Sequence, residues 1–254
     1  YVLKKYGTSK ISALPTFTDF DEVPKTIDSY VKYGFKHIFL RPVNFQGFAR
    51  KKFPNSKNQE EVWTKAYSSA LDYIFDLNFS QKGKILEYSF ETILKRIFHL
   101  NHNGFVDLRT PNFSIQDNII IDYDGKFYPT DEARMITRIG SVDLSVGSLD
   151  DGMNSNKVNE INWDQMNEIN PDCIHCVHQS YCGIDLIDDL SRYSRIDKPK
   201  YETAFCQKHI YRFNDAFKRI MSLNKKDIYN INGHLTRNFN INPPFGQIYY
   251  DTFN

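Results

Sequence analysis

The chain has 254 residues, 41% hydrophobic, 25% charged and 15% aromatic, with 32 basic against 31 acidic side chains and a net charge of +1. That size gives one large domain or two small ones whose core needs no disulfide staples, and the aromatic content excludes a disordered chain. The balanced charge lacks the footprint of a nucleic-acid or anionic-membrane binder; no apolar run approaches the ~20 residues of a membrane helix, and no signal peptide opens the sequence.

Taken from the start, the chain alternates strand and helix signals. Residues 11–16 are short and β-compatible, and residues 20–32 place Phe20, Val23, Ile27 and Val31 at helical spacing, with Asp19 or Asp21 as N-cap and Gly34 as the stop. Residues 37–43 read as a buried strand ended by Pro42. Strand, helix and strand at this spacing predict a βαβ unit and a parallel sheet. Residues 44–58, with Gly47, Pro54 and the basic run Arg50, Lys51 and Lys52, read as an exposed loop over the carboxyl end of that strand, where α/β folds keep their ligands. A helix is expected over 60–77, with Val62, Ala66, Ala70, Tyr73 and Ile74 on one stripe. Another is expected over 90–100, with Ile93, Leu94, Ile97 and Leu100.

After Gly104 the style changes to hairpins. Residues 118–129 give a strand, an Asp124-Gly125 turn and an aromatic return strand, the strongest hairpin signal in the sequence. A short helix starting near Thr130 or Asp131 follows, then a strand and turn within 139–149 and a polar, asparagine-rich segment over 154–170. A helix over 205–223 turns Ile210, Phe213, Phe217 and Ile220 inward, and the aromatic tail from residue 230 carries no assignable pattern.

All four cysteines lie in the last third, as Cys173-x2-Cys176-x5-Cys182 and then Cys206 after 23 intervening residues. A CxxC turn lets two thiolates share one metal, a third reaches the same centre through a short loop, and the fourth closes it from a separate element. Four sulfurs suit either tetrahedral zinc or an iron–sulfur cluster. Free buried cysteines or two disulfides are the bland alternative, and this arrangement disfavours it. His175 and His178 sit inside the knuckle, where a histidine more often faces solvent or supports the ligands than binds metal.

These residues resemble the auxiliary-cluster half of the SPASM domain, the C-terminal extension of many radical S-adenosylmethionine (SAM) enzymes that modify peptides. The hairpin at 119–129 looks like the SPASM entry hairpin, and the upstream βαβ units look like the later strands and helices of the radical SAM partial barrel. The segments Ile38 to Pro42 with Gly47, Phe48 and Ala49, then Tyr128 to Met135, then Tyr181 to Asp185 resemble the B-type radical SAM maturase of the His-Xaa-Ser system. The resemblance implies an α/β chain: the C-terminal part of a radical SAM partial (β/α) barrel over 1–104, a small SPASM/twitch-like α+β iron–sulfur domain over 105–223, and a tail over 224–254. It further implies one auxiliary [4Fe–4S] cluster on Cys173, Cys176, Cys182 and Cys206, with zinc as the alternative metal.

Departures from the family limit that reading. Leu186 stands where a second auxiliary cluster would need a cysteine, and Thr130, Asp131 and Glu132 stand where the entry hairpin would supply others. The family's SAM-cleaving CxxxCxxC motif is absent, so SAM and a second [4Fe–4S] cluster are expected only with an upstream part. The family's chemistry is reductive cleavage of SAM to a 5′-deoxyadenosyl radical that abstracts hydrogen from a substrate peptide. A substrate peptide and a partner maturase are the expected partners, with no nucleic acid and no membrane, and unpaired thiols with iron–sulfur chemistry point to the cytoplasm. The alternative is a non-catalytic zinc- or cluster-stabilised module that presents a peptide to a separate enzyme.

Other side chains carry weaker signals. Arg41, ending a strand at the ligand face, is a candidate cofactor contact or equally a strand-end salt bridge. Asp131, Glu132 and Arg134 could face a substrate peptide, although acidic residues in a first helical turn also suit the helix dipole. The basic run at 50–52 could receive an acidic leader peptide but reads most simply as a solvated loop. Phosphate-loop, dinucleotide, zincin and hydrolase motifs are absent.

Overall fold

The computed structural model describes residues 1–11, 14–55, 59–80, 84–98, 108 and 118–222. The expectations for Ser12 and Ala13, Leu100, Gly104 and the tail from 224 lie outside them. The chain divides into two compact units, one formed by Tyr1–Pro42, Val62–Gly104 and Tyr211–Asn254, the other by Val43–Glu61 and Phe105–Ile210.

In the first unit a short helix α1 (Val2–Tyr6) precedes strand β1 (Thr16–Phe17) and helix α2 (Val23–Lys32). Asp19 caps the turn before α2 by accepting from the Asp21 amide at 3.0 Å. Gly34 ends α2 at φ +79°, and the Phe35 amide reaches back to the Tyr30 carbonyl at 3.0 Å, the bond that a left-handed residue after a helix makes available.

The single strand expected over 37–43 is instead two, β2 (His37–Ile38) and β3 (Arg41–Pro42). They serve different partners: β3 pairs in parallel with β1, and β2 pairs in parallel with β4 (Leu86–Glu87). The physical cause is Glu87. Its carboxylate accepts the Leu40 amide at 3.1 Å, taking that donor out of any ladder at the point where the strand divides. Parallel pairing is as expected, but the strands form two-stranded sheets and close no barrel among the described residues.

Helix α4 (Glu60–Phe79) buries Trp63, Tyr67, Ala70, Leu71 and Ile74, and leaves Val62 exposed. The inward stripe is thus centred on the aromatics, with Trp63 packed against Phe20 at 5.1 Å between ring centroids and Tyr67 at 5.9 Å. Helix α5 (Tyr88–Phe98) buries Ile93 and Leu94 as expected. The last described helix, α9 (Ala204–Ser222), gives this unit Phe213, Ala216 and Ile220, all buried.

In the second unit, residues 44–55 are not all loop, because 49–52 close one helical turn, α3 (Ala49–Lys52). The hairpin forms as expected from β5 (Ile120–Ile121) and β6 (Phe127–Tyr128), with Ile120 opposite Tyr128 and Gly125 at φ +79° in the turn. Thr130 caps α6 (Asp131–Arg138) by accepting from the Ala133 amide at 3.1 Å. A second hairpin joins β7 (Gly147–Ser148) to β8 (Gly152–Met153). The asparagine-rich segment contains a helix that its composition conceals, α7 (Ser155–Asp164), capped by Asn154 and contributing Val158 and Ile161 to the core. These pack with Ala133, Ile136, Leu144, Val146 and with Leu186 and Ile187 of α8 (Leu186–Tyr193).

Candidate metal centre

The four cysteines fall in the second unit. Asn170 begins the knuckle: its carbonyl accepts from the Cys173 amide at 2.9 Å, and a run of turns follows in which the Cys176 amide donates to the Cys173 carbonyl and the Gln179 amide to the Cys176 carbonyl. Buried Asn167 clamps the far side, its Nδ2 donating to the carbonyls of Gln179 at 2.9 Å and Cys182 at 2.7 Å. One side-chain amide thereby fixes where the third cysteine leaves the turn. Cys206 comes from the first turn of α9, where its amide donates to the Thr203 hydroxyl at 3.3 Å.

All four thiols are half-buried and none forms a disulfide. Burial pushes the Cys182 thiol up to about 12, with the neighbouring Cys206, Cys173 and Cys176 adding to it. Burial likewise pushes Cys173 and Cys206 up to about 11. Cys176 and Asp172 add to the first shift, and Cys173, Cys176 and Asp189 to the second. The thiols therefore sense one another across a single locus, and a soft divalent or iron centre is the natural way to hold several thiolates together there. In donor chemistry the set fits a four-sulfur centre. Among the described residues no three or more His, Cys, Asp or Glu side chains are arranged to hold a metal ion, so the thiol side chains must turn toward one another for such a centre to close. Of the two knuckle histidines, His175 is exposed and His178 buried.

Several residues around this locus carry no motif and were invisible to sequence patterns. Lys200 Nζ donates to Asp189 Oδ2 at 2.6 Å and to the Ile196 carbonyl at 3.0 Å, and the Lys200 amide donates to Asp172 Oδ2 at 2.7 Å. The Lys200 carbonyl accepts from the Thr203 hydroxyl at 2.9 Å. Lys200, Asp189 and Thr203 are all buried. The Lys200 charge opposes the upward shift of Cys173.

The remaining candidates are placed otherwise. Arg41 lies in the first unit on β3, where its Nη2 donates to Thr16 Oγ1 at 3.2 Å and its guanidinium stands 5.3 Å from the Phe39 ring centroid. Asp131 and Arg134 pair with each other in the first turn of α6, with Nη2 to Oδ1 at 2.6 Å, and Arg134 Nη1 also lies 3.8 Å from Asp122 Oδ1. In α3, Lys51 and Lys52 are exposed, as a solvated basic turn requires, while Arg50 stacks over Phe45 at 5.3 Å.

No family model matches the sequence, and no curated protein matches it. In fold, the chain is similar to a solved structure. The solved structure is native anSMEcpe with bound AdoMet, with a TM-score of 0.56 and 17% sequence identity over 87% of this chain and 58% of that one. At that identity the likeness is one of fold, and this chain spans less than two thirds of the length of the protein it matches. Among the described residues no helix is long and apolar enough to cross a membrane.

Proposed function

We propose that this chain is part of a radical SAM peptide maturase and carries one auxiliary [4Fe–4S] cluster on Cys173, Cys176, Cys182 and Cys206. The observation that carries the reading is the four-thiol locus in a chain whose fold resembles a radical SAM SPASM enzyme. A [4Fe–4S] cluster held by four thiolates supplies one-electron chemistry and leaves no iron open to substrate. In this chain the knuckle would accordingly hold three sulfurs and the first turn of α9 the fourth: Asn167 fixes the turn, and the Lys200 charge opposes the upward shift of the Cys173 thiol. The CxxxCxxC that would hold a SAM-cleaving cluster is not among the 254 residues, so this reading assigns SAM cleavage to cysteines carried outside them. The substrate class is a ribosomally made peptide.

That missing motif favours one rival, a zinc- or cluster-stabilised peptide-binding module without radical chemistry of its own. Anaerobic reconstitution separates the metals. The proposed function predicts about four irons per chain with the broad visible absorption of a cluster, lost in Cys176→Ser. Tight binding of one zinc with no iron under the same conditions refutes the cluster. The sequence of the natural gene product separates the activities: a CxxxCxxC encoded with this chain supports the enzyme, and its absence from the whole product refutes it.

A further inference from the structure

We propose that Lys200 is a positioning residue for the cysteine centre, tying the knuckle that holds Cys173 to the helix start that presents Cys206. This deepens the proposed function and rests on the four cysteines sharing one metal centre.

The tie is built from four bonds, three of which meet on Lys200. Asp172, next to Cys173 in sequence, accepts the Lys200 amide at 2.7 Å, and the Lys200 carbonyl accepts the Thr203 hydroxyl at 2.9 Å. That hydroxyl also accepts the Cys206 amide at 3.3 Å, which completes a hydrogen-bonded path from the first cysteine to the fourth. The side chain anchors the path in α8, where Nζ meets Asp189 Oδ2 at 2.6 Å. Without such a path, Cys206 would have to find the other three sulfurs from a separate element, with 23 residues intervening after Cys182.

The choice of a buried ion pair at this point also needs a reason. Asp189 is 1% exposed and Lys200 8%, and removing two charges from water costs more than their attraction commonly returns. The second carboxylate oxygen of Asp189, Oδ1, is buried with no hydrogen-bond partner among the described residues. A pair with one oxygen unsatisfied is a poor device for stability. It is a good one for specifying a single arrangement, because any slip of the segment strands both charges. The arrangement it specifies is the one that brings Asp172 and Thr203, and with them two of the four cysteines, to the same residue.

The test compares wild type, Cys206→Ala, Lys200→Met, Lys200→Arg and Asp172→Ala by cobalt(II) titration and by anaerobic iron loading with electron paramagnetic resonance, with far-ultraviolet circular dichroism as the folding check. Lys200→Met should bind cobalt about 10–100-fold more weakly, the range for residues that support metal ligands. Once loaded with iron it should show the three-iron signal of Cys206→Ala, while Lys200→Arg, which keeps the charge, should retain the wild-type signal. Should Lys200→Met not fold, Asp172→Ala decides, since Asp172 is exposed and its loss breaks only the tie to the knuckle. Wild-type cobalt affinity and no three-iron signal in folded Lys200→Met and Asp172→Ala overturn the positioning role alone. Failure of the wild type to bind either metal overturns the shared centre, and the positioning role with it.

Discussion

Glu87 offers the sharpest test of how the first unit is held together. It is 2% exposed and accepts three donors, the Leu40 amide at 3.1 Å, the Phe90 amide at 2.7 Å and the Tyr67 hydroxyl at 2.5 Å. It therefore joins the break between β2 and β3, the start of α5 and the middle of α4. Glu87→Ala strands three buried donors at about 1–3 kcal/mol each, an expected loss on the order of 3–9 kcal/mol. Against a typical domain stability of about 5–15 kcal/mol that removes much of the margin. Glu87→Gln keeps one oxygen but turns an NH2 toward a donor, for a loss of about 1–3 kcal/mol. The pH dependence has a definite sign. Burial raises the Glu87 carboxyl above its ordinary value, outweighing the Tyr67 hydroxyl, the Phe90 amide and the nearby Arg212, which all favour the carboxylate. A raised acid stabilises the fold most fully below the unfolded value of about 4.3, and that contribution fades as pH rises through the folded value. The stability gap between wild type and Glu87→Gln should therefore narrow from acid to neutral pH. Urea unfolding followed by circular dichroism across that range measures it. A gap that widens with pH would show that Arg212 and the hydrogen bonds outweigh burial, and a Glu87→Ala loss under about 1 kcal/mol would refute the bridging role.

Three further outcomes test other joints. Thr130→Ala should cost about 1 kcal/mol in urea unfolding by removing the cap of α6, and Thr130→Ser should restore it. Gly147→Ala should be far worse than Gly140→Ala: a Cβ at Gly147 would clash with the Gly152 carbonyl oxygen, whereas Gly140 at φ +75° opens on free space. The expected losses are at least ~2 kcal/mol and about 1 kcal/mol respectively, read as unfolding midpoints. Phe213→Ala, at a fully buried position of α9, should cost about 3–5 kcal/mol by the same measurement.

Periodicity made the helices legible and left their faces less so. In α4 two stripes compete, Val62, Ala66, Ala70, Tyr73 and Ile74 against Trp63, Tyr67, Ala70, Leu71 and Ile74, and the observed face is the second. Aliphatic spacing alone undervalues it, because Trp63 and Tyr67 bury far more surface than Val62 and Ala66 could. The divided strand at 37–43 was hidden for a different reason. Its apolar run reads as continuous, and the break comes from a carboxylate 47 residues downstream of Leu40. Helix α7 has only Val158 and Ile161 as buried residues among asparagines of weak helix propensity, so its formation rests on the Asn154 cap and on core packing.

At the cysteine locus, the signal strength of each residue follows its chemistry. Cysteine is rare in this chain, so three at CxxC-x5-C spacing with a fourth downstream stand out and can be considered together before any fold is known. Aspartate, lysine and threonine are common, and Asp172, Asp189, Lys200 and Thr203 sit at separations that match no period. Their partnership exists only once α8 and the turn before α9 are folded. The candidate ligands could thus be read from composition, whereas the residues bonded around them could be read only from the folded hydrogen bonds. That difference has a consequence for the chemistry. Because the four thiols are each half-buried, and three of them are raised well above their ordinary value by burial and by one another, a metal bound by them would have to displace tightly held protons. Under the proposed function, formation of the centre would be governed by the placement of Cys206 as much as by the presence of four sulfurs, and that placement would run through Thr203 to Lys200.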